Sequence, residues 1–390
     1  MSSRPRGRPG GRGGARVLWL IKGLGPGGAE RLLVDAAPFV DRDRFDVECA
    51  YLLPWKDHLA ADLVAAGVPT RCLDVRRAWS PGWARRLADV IRLERFDLIH
   101  AHLPSAGVGA RRASARLGAG RPAVVYTEHN TWDRYRVPTR RLNARTFGRN
   151  DAVIAVSGGV AASIAPAAAA GTTVTVIPNG VDAAGIRGRA LTPADARARL
   201  GLPDGVPVVG TVGGITAKKG HVGLVRAARS VVDDCPEARF VFAGLPIDPG
   251  PVRAEIARLR LEGHVSLAGY VPDAATLMPA FDVYCLASRF EGMPVSLLEA
   301  MALGLPPVAT AVGGVGEVAT DGDDALVVPP DDPEALASAI VGLLRNPERR
   351  RSMGERARRT ADGHSIETMV RRTEAVYEAA LAARAAVGTP

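Results

Sequence analysis

Several short stretches of the chain bring charged, glycine and histidine residues together at spacings that could do chemistry. In Glu291-Gly292-Met293-Pro294-Val295-Ser296-Leu297-Leu298-Glu299, one carboxylate precedes a helix start and a second lies about a turn and a half inside it. Pro294 suits the first turn, where its missing N–H is not needed. The amides from Met293 to Ser296 would point outward at an anion such as a diphosphate, and the carboxylates could accept hydrogen bonds from sugar or ribose hydroxyls. From spacing alone, a surface helix carrying two glutamates is the better description. In Gly213-Gly214-Ile215-Thr216-Ala217-Lys218-Lys219-Gly220-His221, lysines stand beside a glycine at a strand-to-helix turn. That is a phosphate-binding shape, although the Gly-Lys-Ser/Thr of a Walker loop is missing. A solvated lysine pair is the alternative. Gly313-Gly314-Val315-Gly316-Glu317 adds a third backbone-rich loop to the same half.

The first half holds two more. Gly23, Gly25 and Gly28 match G-x-G-x-x-G, which lets backbone approach a phosphate at a helix N-terminus. A dinucleotide fold would place an acid at the end of strand two, yet Glu48 sits mid-strand. A tight strand-to-helix turn fits as well. His100 and His102 end one apparent strand, and His129 ends another. Two zinc ligands at i, i+2 are conceivable but have no obvious third, so contact with a ligand or a structural role is the expected use. Asp41-Arg42-Asp43 precedes strand two and reads as turn chemistry.

These residues need elements to hold them. β-like runs alternate with helical stretches along the whole chain, which is the rhythm of parallel sheets covered on both faces. The first half offers Val17–Ile21, Phe45–Leu53, Asp97–His102, Ala123–His129, Ala152–Ser157 and Thr173–Pro178. The second offers Val206–Gly213, Arg239–Gly244, Val265–Gly269, Val283–Ala287, Pro307–Thr310 and Ala325–Val328. The expected organisation is a tail over 1–15, one Rossmann-like domain over 16–182, a glycine- and proline-bearing linker over 183–205, a second domain over 206–364, and a C-terminal helix over 365–390. Ile366, Met369, Val370, Thr373, Tyr377 and Leu381 form one mostly apolar face of that helix. Two doubly wound sheets facing a cleft bind ligands beyond the carboxyl ends of their strands, where the motifs lie.

Composition narrows the partners. The 390 residues are 47% hydrophobic and 23% charged, which excludes wholesale disorder. The formal charge of +9 raises nucleic acid, an anionic membrane surface and phosphorylated ligands. Five arginines (Arg4, Arg6, Arg8, Arg12 and Arg16) occupy the first sixteen residues with no acid, leaving +4 for the rest. That tail reads as disordered. Outside it no aromatic-basic module appears, so nucleic acid is not an expected partner. Val17–Ile21 is shorter than the ~7–15 residues of a signal-peptide core, and no run of ~18 strongly apolar residues exists. Cys49, Cys72, Cys235 and Cys285 are scattered, as in a reducing compartment. The expected location is cytoplasmic, with peripheral contact at the inner face of the membrane as an option.

Taken together, the motifs resemble the retaining glycosyltransferase family 4, over about residues 16–385. The carriers are Gly-Gly-Ala-Glu (Gly27–Glu30), Ile-His-Ala-His (Ile99–His102), Thr-Glu-His (Thr127–His129), Ile-Pro-Asn-Gly-Val-Asp (Ile177–Asp182), Lys-Gly-His (Lys219–His221), Phe-Ala-Gly (Phe242–Gly244), Gly-Tyr-Val (Gly269–Val271), the long run Ser288–Pro306, and Gly313–Glu317. The resemblance implies a two-domain GT-B fold whose C-terminal helix crosses back to the first domain. It implies a hexosyltransferase moving a sugar from a nucleoside-diphosphate donor to a glycan, lipid-linked or small-molecule hydroxyl, with retention and without metal or cofactor.

By the same resemblance, Glu291 contacts the transferred sugar, Glu299 the ribose, and Lys219 the diphosphate, with the backbone of Gly292, Met293, Pro294 and Val295 around it. Gly27 and Gly28 close over the phosphates, Tyr270 and Val271 border the base, and His129 stands near the reaction centre. Catalytic roles fall to His129, Glu291 and Lys219. One departure stands out: the family usually has Gly-Arg-Leu where this chain has Gly213-Gly214-Ile215. A lost charged hydrogen bond is worth ~1.5–3 kcal/mol, and Lys218 is the residue that could compensate. The departure motivates an alternative, a catalytically silent sugar-nucleotide-binding or scaffold protein of the same fold. Arg134, Arg136, Arg140, Arg141, Arg145 and Arg149 crowd the segment after His129, either as a face for an anionic lipid or phosphate-bearing acceptor, or as a solvated helix.

Overall fold

The computed structural model describes residues 14–78 and 82–388. The chain divides into two compact units: one runs to Pro178 and resumes at Ile366, and the other spans Asn179–Ser365. Most of the arginine-rich tail lies outside the described residues. Its last residue, Ala15, already belongs to the first strand.

The first unit is built on seven parallel strands: β1 (Ala15–Ile21), β2 (Phe45–Tyr51), β3 (Thr70–Cys72), β4 (Leu98–His102), β5 (Ala123–Glu128), β6 (Ala152–Ala155) and β7 (Val174–Val176), in the order β3-β2-β1-β4-β5-β6-β7. Every residue of β4 and β5 is buried, as a sheet covered on both faces requires. Alternation along β1 sends Val17, Trp19 and Ile21 into one core, and Leu18 and Leu20 into the other. The first core is closed by the C-terminal helix Ile366–Gly388, through Ile366, Val370, Tyr377 and Ala380. The second is closed by helices Trp83–Glu94 and Leu103–Ala115.

One difference from the sequence reading concerns this unit. The three-residue edge strand β3 carries too short a pattern to show in the sequence. Glu48, which the sequence reading placed mid-strand, lies inside β2 and forms ion pairs with Arg16 and Arg71. Asp41-Arg42-Asp43 is a turn, with Asp41 Oδ1 accepting from the backbone N–H groups of Asp43 and Arg44 at 3.1 and 3.2 Å.

The second unit holds six parallel strands: β8 (Val208–Val212), β9 (Arg239–Ala243), β10 (Val265–Gly269), β11 (Val283–Leu286), β12 (Pro307–Thr310) and β13 (Leu326–Val328), ordered β10-β9-β8-β11-β12-β13. The expected linker over 183–205 is corrected here. It contains helices Ala183–Arg189 and Pro193–Arg199, both part of the second unit. Asp182 and Thr192 cap them by accepting from the N–H groups of Gly185 and Asp195. Arg189 and Arg197 bind Asp273 and Asp282 at 2.7 and 2.9 Å. Glycines and prolines suggested a loop, while the cap residues and Pro193 at a helix start carried the stronger signal. Among the described residues no helix is long and apolar enough to cross a membrane.

The C-terminal helix is held by more than apolar contact. The Tyr377 hydroxyl accepts from Trp19 Nε1 at 3.1 Å and lies 2.6 Å from His100 Nδ1, all buried. Tyr377→Phe should cost about 1–3 kcal/mol, because two buried polar atoms lose their partner. All five tryptophans precede Pro178, so tryptophan fluorescence in urea reports the first unit. An unchanged midpoint would show that the hydroxyl contributes nothing.

Candidate active site

In the second sheet the chain winds outward from β8 to β10, then returns to place β11 on the other side of β8. A crevice forms beyond the carboxyl ends of strands where the winding reverses. The two loops at that point carry Gly213–His221 and Ser288–Glu299. Their side chains meet: Lys219 Nζ is 2.7 Å from Glu291 Oε1, Lys218 Nζ is 3.3 Å from Oε2, and the Ser288 hydroxyl donates to Oε1 at 2.7 Å. Burial pushes the Glu291 carboxyl up, but the two ammonium groups and the Ser288 hydroxyl outweigh it and hold the group below the ordinary carboxylate range.

The surrounding backbone is shaped to allow this. Gly220 has φ +67°, and a Cβ there would stand 1.9 Å from the Ala287 carbonyl oxygen, so the lysine turn can lie against the end of β11 only with glycine. Gly313 has φ +50°, and its Cβ would stand 1.9 Å from the Glu291 carbonyl oxygen. The Gly314 N–H donates to the Gly292 carbonyl at 2.8 Å. The Gly-Gly-Val-Gly-Glu loop is thus a brace for the Glu291 loop. The helix Val295–Ala302 begins after Pro294 and carries Glu299, which is buried. Tyr270 and Val271, both half-buried, follow the carboxyl end of edge strand β10, two positions from β8.

Asn179 is a residue that sequence reasoning quoted in a motif and gave no role. It is buried, its Nδ2 donates to the Met293 carbonyl at 3.0 Å, and its backbone N–H points at the Met293 sulfur at 3.0 Å. Gly214 lies in a half-open position. A Cβ there would meet the tip of Ile247 at 3.1 Å, so a flexible side chain fills part of the space where the family carries arginine.

In the first unit the residues of interest cluster after β1, β4 and β5. Gly27 and Gly28 start the helix Gly28–Ala36. His102 Nδ1 lies 3.1 Å from His129 Nε2, and His100 Nε2 lies 2.6 Å from the Thr127 hydroxyl. His129 follows β5 rather than ending it. Burial pushes His129 down to about 4 and His100 to about 3, so both are neutral imidazoles at pH 7. Glu128, also given no role by the sequence reading, organises the turn. It is fully buried and accepts from Trp132 Nε1 at 2.9 Å, from the Tyr126 hydroxyl at 2.9 Å, from the Tyr135 hydroxyl, and from the His129 N–H at 3.1 Å. Among the described residues no group of three His, Cys, Asp or Glu side chains is placed to hold a metal ion.

Residues 26–184 match the profile of Glycosyltransferase Family 4, and residues 194–360 that of Glycosyl transferases group 1. The chain belongs to this glycosyltransferase family. It is an enzyme of the hexosyltransferase kind. The chain is 25% identical to the Escherichia coli UDP-Gal:alpha-D-GlcNAc-diphosphoundecaprenol alpha-1,3-galactosyltransferase, over 80% of this chain and 84% of that one. It is 28% identical to the phosphatidyl-myo-inositol mannosyltransferase of Mycolicibacterium smegmatis, over 90% of each. The fold is that of the Anabaena protein HepE in complex with UDP-glucose, with a TM-score of 0.80 at 24% identity, covering 93% of this chain and 98% of that one. The two-sheet GT-B architecture expected from the sequence is therefore the observed one.

The buried imidazoles give this glycosyltransferase a pH signature. Their unfolded forms take up protons near 6.5, whereas the folded His129 does so near 4. Between those values the unfolded chain binds more protons, so their contribution to stability is lost as pH falls through that window. Heteronuclear NMR of the rings should show His100 and His129 neutral at pH 6. A midpoint near 6.5 for His129 would mean that the ring is open to water.

Proposed function

We propose that the chain transfers a hexose from a nucleoside-diphosphate sugar to a hydroxyl of a glycan, lipid-linked or small-molecule acceptor, with retention at the anomeric carbon and without a metal ion. The observation that carries this reading is the gathering of Lys218, Lys219 and Glu291 at the crevice of the second sheet. In the free enzyme Glu291 neutralises the lysines. With donor bound, the ammonium groups take the diphosphate, Lys218 supplying charge that position 214 lacks, and Glu291 takes hydroxyls of the sugar. Glu299 holds the ribose, Tyr270 and Val271 border the base, the Gly292–Val295 backbone faces the phosphates, and Gly27 and Gly28 are further donor-binding residues.

The bond from the anomeric carbon to phosphate breaks with its electron pair on the phosphate oxygen, where lysines and helix-start amides stabilise the charge. The acceptor oxygen then attacks the same face of an oxocarbenium-like carbon and passes its proton to the departing phosphate. His129, neutral and held by His102, serves as a hydrogen-bonding group near the sugar, not as a protonated acid. Lys219→Ala should lower the turnover of released nucleoside diphosphate by about 10²–10³, the usual loss for one electrostatic stabiliser. Wild-type rates should be unchanged in a chelator. Proton NMR of the product should show the donor's anomeric configuration, and an inverted linkage would overturn the retaining assignment.

The acceptor side also supports a membrane surface. Arg136, Arg140, Arg141, Arg145 and Arg149 are all exposed on or beside the helix Val137–Phe147, and Val137 is exposed among them. Basic residues of this kind are attracted to anionic lipid by ~1 kcal/mol each. Two of the similar enzymes named above have lipid-linked acceptors in their names. In flotation assays the protein should rise with anionic vesicles and not with neutral ones, and Arg140→Glu with Arg141→Glu should abolish the difference. Equal binding to both vesicle types would remove the membrane from this reading.

A further inference from the structure

The chain has four lysines, Lys22, Lys56, Lys218 and Lys219, against 46 arginines. Two of the four form the donor cluster. The other two occupy the corresponding end of the first sheet. Lys22 follows β1, and Lys56 lies in the loop after β2. Three backbone hydrogen bonds bind those loops: Leu53 N–H to the Lys22 carbonyl at 3.1 Å, Leu24 N–H to the Lys56 carbonyl at 2.6 Å, and Leu59 N–H to the Leu24 carbonyl at 2.9 Å. The Lys56 stem lies flat on Gly23, where a Cβ would stand 2.6 Å from Lys56 Cβ. The first glycine of the loop is therefore the seat of a lysine.

These cations are poorly neutralised. Glu30, in the first turn of the helix Gly28–Ala36, feels the charge of both, yet among the described residues no ion pair within 4 Å joins it to either lysine. Burial pushes Glu30 up, and burial together with Lys56 pushes Lys22 down. Two ammonium groups that repel one another, beside a carboxyl that burial pushes up, gain from an added anion. Lysine suits that use as a compact charge with three donors on a flexible stem. Next to Lys56, the indole of Trp55 is 55% exposed and offers an apolar ledge.

We propose that Lys22 and Lys56 form a second phosphate site, which takes a phosphate or diphosphate group of the acceptor. This rests on the transferase reading above, in which Lys218 and Lys219 already serve the donor's diphosphate. Arginine is the chain's ordinary cation, and the four lysines stand two and two beyond the carboxyl ends of the two sheets, which is the pattern of two phosphate sites, one in each unit.

The test uses the full chain saturated with nucleoside diphosphate, titrated with inorganic pyrophosphate by calorimetry. Wild type should bind pyrophosphate beyond the occupied donor site. Lys22→Met with Lys56→Met should weaken that binding by about tenfold or more, as loss of charge-assisted hydrogen bonds requires, and should leave nucleoside diphosphate affinity unchanged. Lys22→Arg with Lys56→Arg should restore most of it, and the urea midpoint by tryptophan fluorescence shows that each variant is folded. Pyrophosphate binding that survives the methionine substitutions would overturn the proposal. So would equal weakening of both ligands, which would assign these lysines to the donor. If the wild type binds no nucleoside diphosphate at all, it is the transferase reading that fails. Dodecyl phosphate binding more tightly than glycerol phosphate through the same lysines would support a lipid-linked source of the phosphate, and equal binding a soluble one.

Discussion

A carboxylate removed from water stays ionised only if cations stand close enough to offset its lost hydration, and Glu291 has two. Much of the second unit's local structure follows from that requirement. The lysines must reach across from the β8 loop to the end of β11. The approach is close enough that Gly220 cannot carry a Cβ. The Arg289 N–H donates to the Lys218 carbonyl at 2.9 Å and locks the two loops together. Thr310, at the end of β12, donates to the Ser288 carbonyl at 2.5 Å, and Gly313 lets the next loop sit against Glu291. Three strand ends thus converge on one carboxylate. An anionic ligand entering the crevice competes with that carboxylate for the lysines, so binding exchanges partners within a preformed cation site.

The first unit solves the opposite problem. Its crevice carries imidazoles, and burial keeps them uncharged. A neutral ring needs a defined tautomer, which is set by the hydrogen bond at its other nitrogen. His100 is held from both sides, by Thr127 within the sheet and by Tyr377 from the C-terminal helix. His102 and His129 hold each other. The helix therefore closes an apolar core and also completes a polar chain that begins at Trp19. Deeper in, the buried Glu128 is neutralised by donors and by the field of Arg111, a guanidinium with no exposure that bonds Asn143 at 2.6 Å. These polar groups are costly to bury singly and acceptable as a connected set.

What the sequence revealed and what it hid divide along physical lines. Strands flanked by turn residues were readable because burial on both faces leaves continuous apolar runs, as in Val208–Val212 and Ala123–Glu128. The apolar face of the last helix was readable from its period. The helices at Ala183–Arg189 and Pro193–Arg199 were hidden by Gly185 and Gly188 in the first, by Pro193 and the following Gly201 around the second, and by the absence of a wide apolar stripe, since capping side chains and the pairs at Asp273 and Asp282 hold them in place. Site residues standing just after strands were legible in position. The partners of those residues were not, because Asn179 and Met293, or Lys56 and Gly23, are joined by topology and not by any local pattern.

On the transferase reading, the glycine at position 214 leaves to its neighbours the role that the family gives an arginine. A guanidinium there would present a planar fork with fixed donors, and two such bonds to phosphate fix orientation as well as charge. Here the space is bordered by the tip of Ile247, and the nearby cation is Lys218, on the same carboxylate as Lys219. On that reading Lys218 supplies the charge, but as a rotatable point charge in place of a fork, and it also stands 5.2 Å from the Phe290 ring. Two ammonium groups on one carboxylate can follow a phosphate through small displacements, whereas a fork selects a single orientation. The orientation that the fork would have supplied must then come from rigid parts of the crevice: the Met293 carbonyl held by Asn179, and the Glu291–Gly292 backbone braced by Gly313 and Gly314. In this chain, geometry at the crevice of the second sheet is set by backbone, and charge is set by flexible lysines.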